Sequence, residues 1–280
     1  MTKKYGILAY PAKHSLSPVM HNAAFRELGI DAQYGSFEIP ENGLDDFMKT
    51  VKHEPIHGLS VSLPYKETVM NYINEIDDDA KKIGAVNTVV NRGGFLYGYN
   101  TDFLGSNLAL KEELGDLNGK EIVVVGAGGA ARAVVYGLLK EGAKVSIFNR
   151  HKERADELRA EFSEMFGVEI LSDDLENIWK IEKADALIQT TSIWIMSPDM
   201  NEKEAEKFIP KEYVDRYDVV MDIVYKPLLT PLIKMANSLG RKTVTGDKML
   251  LHQATEQFRL FTGKDAPVEV MRGALGENLV

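Results

Sequence analysis

Short apolar runs alternate with stretches whose apolar residues recur at helical spacing along most of this chain. The runs Gly6–Tyr10, Gly58–Leu63, Ala85–Val90, Glu121–Val125, Lys144–Phe148, Ala186–Gln189 and Asp218–Val224 predict buried strands. The amphipathic stretches His21–Leu28, Glu67–Ile76, Phe103–Leu114, Ala131–Leu139, Lys152–Phe166, Leu229–Leu239 and Leu250–Thr262 predict helices. Strand–helix alternation of this kind predicts an α/β fold, with parallel sheets covered by helices on both faces. The pattern shows no internal repeat and no low-complexity linker. Leu114 to Lys120 is rich in turn residues and stands between a helix and a new strand. It predicts a boundary, with one α/β domain before it and a second after it.

Composition narrows the function classes. At 280 residues the chain is long enough for two ordinary domains. Its formal charge of −9 disfavours nucleic acid, whose phosphates select basic surfaces. It has no cysteine, which excludes disulfides, Cys-based zinc sites and thiol nucleophiles. The histidines show no metal-ligand spacing, so no metal is expected. There is no signal-peptide pattern and no bilayer-length apolar stretch, so the expectation is a cytoplasmic protein without a membrane partner.

The strongest motif follows the strand Glu121–Val125. Gly126-Ala127-Gly128-Gly129-Ala130-Ala131 leads directly into a helix, and Lys144–Phe148 supplies the next strand. This is G-x-G-x-x-A in a strand–turn–helix–strand setting, the Rossmann dinucleotide fingerprint. Gly126 allows the tight turn, and Gly128 lets backbone N–H groups approach a pyrophosphate at the helix start. NAD enzymes place an acid at the end of the second strand to bind the ribose hydroxyls. Here that position reads Asn149-Arg150-His151-Lys152, with Arg154 beyond. Arg150 offers a planar fork to a 2′-phosphate, and Arg154 lies one helical turn further on. Cations at a helix start oppose the dipole, so their clustering favours NADP, with NAD as the alternative.

Three polar clusters mark the N-terminal half. Ser17 before Pro18 reads as a helix cap, which leaves His14 and Ser15 unexplained. In Ser60-Val61-Ser62-Leu63-Pro64-Tyr65-Lys66, Pro64 predicts a helix start with Lys66 in its first turn. A solvated surface lysine is the alternative for Lys66. In Asn100-Thr101-Asp102, either Thr101 or Asp102 fits as the cap of the helix at Phe103. Taken together, a helix-start lysine and a helix-start aspartate make a charge pair suited to proton transfer.

These clusters, in this order, resemble the shikimate dehydrogenase family over nearly the whole chain. The resemblance rests on His14 to Pro18 with His21-Asn22, Val61 to Lys66, Gly84 to Thr88, Asn100 to Asp102, Gly126 to Ala131 and Asn149-Arg150. It continues with Asp222 to Tyr225, Pro227, Thr230, Gly246, Met249-Leu250 and Gln253. The resemblance implies reversible NADPH-dependent reduction of 3-dehydroshikimate, with Lys66 and Asp102 as the catalytic pair. It implies that Ser15 and Ser17 bind the substrate carboxylate, and that Ser62, Asn87, Asp102 and Gln253 bind ring hydroxyls. Tyr225 would lie close to the substrate, and Ile223 and Gly246 would line the nicotinamide. The implied fold has a substrate-binding domain at 1–106 plus 248–280, a cofactor domain at 107–247, a cleft between them, and a monomer or homodimer.

The chain departs from the family pattern at several points. Ser60 stands where asparagine is usual and Ser62 where threonine is usual. His151 replaces a small hydroxyl residue, and Phe261 replaces a tryptophan and reads as core. The largest departure is Gln189-Thr190-Thr191-Ser192-Ile193-Trp194, where the family reads Asn-Ala-Thr-Ser-x-Gly. Trp194 in place of glycine predicts a reshaped loop near the nicotinamide. Two alternatives stay open: a quinate/shikimate dehydrogenase able to use NAD, and a non-catalytic binder on the same scaffold.

Overall fold

A computed structural model describes residues 2–196, 200 and 202–279 of the chain. The chain divides into two compact units, 1–102 with 253–280, and 103–252.

The first unit is built on a sheet of strands β1 (Lys3–Ala9), β2 (Ala32–Glu38), β3 (Ile56–Val61), β4 (Glu75–Ile76), β5 (Thr88–Arg92) and β6 (Phe95–Tyr99), in the order β2-β1-β3-β5-β6-β4. The expectation of a purely parallel sheet fails here. β5 runs antiparallel to both β3 and β6. The cause is local: Gly93 and Gly94 adopt positive φ (64° and 91°), the conformation a tight two-residue hairpin needs. The helix expected over Glu67–Ile76 is also absent. A 3-10 turn at Thr68–Tyr72 gives way to β4. Asn74 is the reason: its Oδ1 accepts the Leu96 N–H (2.8 Å) and its own N–H donates to the Leu96 carbonyl (2.9 Å), which pins the chain to β6. Lys66 consequently sits in a turn, not in the first turn of a helix.

His21 belongs to the core of this unit. Its ring stacks on Tyr34 at 4.5 Å with 7° between planes, and it is fully buried. Burial lowers its pKa to about 3, so the folded state keeps it neutral. Between the unfolded value of 6.5 and about 3, the unfolded chain binds a proton that the folded chain refuses. The stability involved is present above pH 6.5 and lost as pH falls toward 3. Denaturant titrations between pH 7 and 5 should show wild type losing more stability than His21→Phe, by up to about 1.4 kcal/mol per pH unit. Parallel profiles for the two proteins would contradict this.

The second unit carries β7 (Glu121–Val125), β8 (Lys144–Asn149), β9 (Leu171–Asp174), β10 (Ala184–Gln189), β11 (Tyr217–Asp222) and β12 (Lys242–Val244). Their order is β12-β11-β10-β7-β8-β9, and every pair is parallel. The turn-rich segment Leu114 to Lys120 is no boundary, since it lies inside this unit. The helix Asp102–Leu114 packs with the second sheet's helices: Asn107 donates to the Gly137 carbonyl on the helix Gly129–Lys140 (2.9 Å). A Cβ at Gly137 would meet Asn107 Oδ1 at 2.9 Å, so glycine permits this approach. The strand order reverses between β7 and β10. Ligands of doubly wound sheets bind at the carboxyl ends of the strands flanking such a switch point.

Candidate functional site

In the first unit a largely buried ion pair is assembled from separate elements. Lys66 Nζ donates to Asp102 Oδ2 at 2.5 Å, with only 16% and 7% of the two side chains exposed. Asp102 opens its helix but does not cap it. Asn100 does, its Oδ1 accepting the Asp102 backbone N–H at 2.9 Å. The capping alternative for Asp102 therefore fails, and its carboxylate is left for other work. Lys66 is likewise no solvated surface lysine.

Asn87 orients Asp102. Its Oδ1 accepts the Thr101 backbone N–H (2.8 Å), which sets the direction of the amide. Its Nδ2 then donates to Asp102 Oδ1 (2.8 Å) and Thr101 Oγ1 (3.0 Å). Gln253 Oε1 lies 3.5 Å from both Asn87 Nδ2 and Thr101 Oγ1. Asn87, read as a substrate ligand, thus has both amide hydrogens engaged inside the protein.

The network reaches further than the sequence indicates. Tyr34 Oη donates to Ser60 Oγ (2.6 Å), and Ser60 donates to Gln257 Oε1 (2.6 Å). Gln257 Nε2 donates to the Asn87 carbonyl (3.2 Å) and Thr88 Oγ1 (3.1 Å). Ser60, which replaces the usual asparagine, is a relay in this chain of bonds. The sequence pattern singles out neither Tyr34 nor Gln257, and Thr88 only as the end of the Gly84 to Thr88 match. The one available signal was Gln257 four residues after Gln253, on the same helix face.

The serine cluster differs from its expected form. Ser17 begins the helix Ser17–Glu27 and is buried, but it is not the cap. Ser15 Oγ accepts the Ser17 N–H at 3.3 Å. The Ser15 hydroxyl hydrogen is not needed for that bond and can be donated to a carboxylate. Ser62 is half-buried, two residues beyond Ser60. His14 is exposed. Phe261 is core, as read: it is 7% exposed, and Gly58 leaves its ring the necessary room.

In the second unit the glycine-rich turn has the expected geometry. Gly126 has φ 123°, and a Cβ there would lie 2.3 Å from Thr190 Oγ1. Gly128 is different: no atom stands within 4 Å of its Cβ position. Protein packing does not require glycine there, so the open cradle fits a closely approaching pyrophosphate. The first helical bond, Arg132 N–H to the Gly128 carbonyl (2.9 Å), leaves the N–H groups of Gly129, Ala130 and Ala131 without intrahelical acceptors. Ala127 precedes this row. Gly126→Ala should therefore lower stability by about 2–4 kcal/mol in chemical denaturation. Gly128→Ala should stay within about 0.5 kcal/mol of wild type yet lose NADP affinity. Equal effects of the two variants on stability would contradict these roles.

At the end of β8, Asn149 donates to the His151 carbonyl (2.9 Å) and shapes the bend into the helix Lys152–Phe166. Lys152 is paired with Asp156 at 2.6 Å, so it needs no ligand to explain it. Arg150 and Arg154 are exposed, and neither guanidinium pairs with a carboxylate among the described residues. They remain the groups able to hold a 2′-phosphate.

The loops after β10 and β11 meet on Asp222. Trp194 does not line the surface as a substitute for glycine. Ile193–Met196 forms a short helical turn, and the indole is buried edge-on against Phe208 at 5.7 Å. No residue other than glycine has positive φ among the described residues, so Trp194 carries no glycine-like strain. Ile223 and Gly246 approach closely: a Cβ on Gly246 would lie 2.4 Å from the Ile223 carbonyl oxygen. Tyr225 follows on the β11 loop, half-buried. Among the described residues no group of His, Cys, Asp or Glu could hold a metal ion, and no helix is long and apolar enough to cross a membrane.

Three family profiles match the chain. The profile "Shikimate dehydrogenase substrate binding domain" matches residues 7–89. "Shikimate / quinate 5-dehydrogenase" matches 108–225, and "Shikimate 5'-dehydrogenase C-terminal domain" matches 248–275. The shikimate dehydrogenase (NADP(+)) of Thermococcus kodakarensis is 43% identical over 99% of this chain and 97% of its own. A crystal structure of shikimate dehydrogenase in complex with NADP+ superposes with TM-score 0.90 at 36% identity, covering 100% of this chain and 96% of that one. The Listeria monocytogenes shikimate 5-dehydrogenase in complex with shikimate and NAD gives TM-score 0.87 at 33% identity, covering 98% and 96%. The chain belongs to the shikimate dehydrogenase family.

Proposed function

We propose that this chain catalyses the reversible NADP-linked oxidation of shikimate to 3-dehydroshikimate, a step of aromatic amino acid biosynthesis. The observation that carries the reading is the Lys66–Asp102 pair, held by Asn87, in a chain that also bears the Gly126–Ala131 cradle. Bound NADP supplies the hydride acceptor, or NADPH the donor. The protein handles the proton. In the reducing direction Lys66 Nζ, as ammonium, donates a proton to the ketone oxygen as negative charge develops there. In the oxidising direction Nζ takes the hydroxyl proton. Asp102 holds Nζ in place, and Asn87 holds Asp102.

In this reading the unit 1–102 with 253–280 binds substrate, with Ser15 and Ser17 on the carboxylate and Ser62, Asp102 and Gln253 on ring hydroxyls. Tyr225 is assigned to the substrate's vicinity. The unit 103–252 binds NADP through the turn Gly126 to Ala130, through Asn149, Arg150 and Arg154, and through Ile223 and Gly246. The acidic chain acts in the cytoplasm, as a monomer or homodimer, without nucleic acid or membrane. The test is nicotinamide absorbance with shikimate or quinate against NADP or NAD. Reduction with shikimate and NADP at the highest kcat/KM supports the reading. Preference for quinate or NAD, or no turnover in any pair, would overturn it.

A further inference from the structure

The buried carboxylate of Asp222 is an unusual object in the second unit. It is 0% exposed and accepts bonds from Trp194 Nε1 (2.6 Å), Thr230 Oγ1 (2.8 Å), the Val224 N–H (3.0 Å) and Gln189 Nε2 (3.3 Å). No cation pairs with it among the described residues, and burial pushes its pKa up to about 7 although the four donors pull the other way.

The donors come from three segments. Gln189 ends β10 and Trp194 lies in the segment that follows it, Val224 belongs to the loop after β11, and Thr230 caps the helix Pro231–Ser238 through the Ile233 N–H (3.3 Å). Each of the two loops leads to the dinucleotide cradle. Thr190, beside Gln189, donates to the Val125 carbonyl (2.8 Å) and walls the Gly126 turn. Ile223, beside Asp222, presents its carbonyl to Gly246. Asp222 therefore adjoins Ile223 in sequence, and its partner Gln189 adjoins Thr190, which walls the Gly126 turn.

We propose that Trp194 is a positioning residue: its indole N–H, bound to Asp222, latches the β10 loop to the β11 loop and pre-forms the nicotinamide end of the cofactor site. This rests on the NADP reading above. Three residues distinguish this loop from the family pattern, Gln189, Thr190 and Trp194, and two of them, Gln189 and Trp194, send their side chains to Asp222. A glycine at 194 has no side chain to make this bond, so the latch belongs to this chain's version of the loop. The large ring also fills the core against Phe208, and the two roles must be separated experimentally.

Trp194→Phe keeps an aromatic ring in the core and removes the N–H donor together with part of the bicycle, so thermal unfolding is needed to read the lost packing apart from the lost bond. Calorimetry should be run on wild type and Trp194→Phe with NADP and with adenosine 2′,5′-bisphosphate, which lacks the nicotinamide half. Thermal unfolding and steady-state kinetics should be measured alongside. The expected result is a loss of about tenfold in NADP affinity, the size of one buried hydrogen bond, with bisphosphate affinity within about twofold of wild type. kcat should fall while the KM for shikimate holds. Unchanged NADP binding and kcat would overturn the latch and leave Trp194 a packing residue. Equal weakening of both ligands with a lowered unfolding temperature would also overturn it, as general damage. A wild type that binds neither ligand would overturn the NADP reading itself, and the wild-type control separates that failure from the others.

Discussion

Lys66→Ala should lower kcat for shikimate oxidation by about 10²–10⁴-fold, the usual contribution of a positioned proton-transfer group. The KM for NADP should hold, and shikimate should still bind in calorimetry. The physical reason is that Lys66 Nζ is the one cation placed on the Asp102 carboxylate among the described residues, and a methyl group cannot carry the proton. Lys66→Arg should not rescue the rate, since a guanidinium keeps its charge and does not release a proton near neutral pH. Full activity in Lys66→Ala would remove Lys66 from the chemistry. Loss of shikimate binding along with the rate would make it a binding residue.

Arg150→Ala should raise the KM for NADP by about 10–100-fold, the loss expected for hydrogen bonds to a charged group, and leave the KM for NAD almost unchanged. The strand end before it offers no carboxylate to a free ribose hydroxyl, and Lys152 is already held by Asp156. Arg154→Ala should show a smaller effect in the same direction. Equal effects on NADP and NAD would mean that Arg150 does not read the 2′-phosphate.

The cofactor half was legible because its signal is local. The change from a buried strand to a helical period, with glycines at the junction, needs no distant partner, and Gly126 at φ 123° answers to it directly. The pair Lys66–Asp102 was only half legible. Each residue alone was open to a bland reading, as surface charge or helix cap, until Asn100 proved to take the capping bond. The hairpin through Gly93-Gly94 is a local signal too, and it is what makes the first sheet depart from the parallel pattern that strand–helix alternation predicts. Other features were not local at all. The strand β2 buries Tyr34 between half-buried and exposed neighbours and gives no continuous apolar run. Ser60 meets Gln257 across most of the chain, and Trp194 meets Asp222 from another strand's loop. Such contacts come from tertiary packing, and no periodicity reports them.

In the proposed reaction hydride passes directly between shikimate and NADP while Lys66 handles the proton. The most direct measurement uses shikimate deuterated on the carbon that bears the oxidised hydroxyl, with mass spectrometry of the recovered cofactor. The deuterium should appear in NADPH in step with 3-dehydroshikimate and should not wash into water. Deuterium found in solvent, or shikimate left unoxidised while NADP is bound, would contradict it.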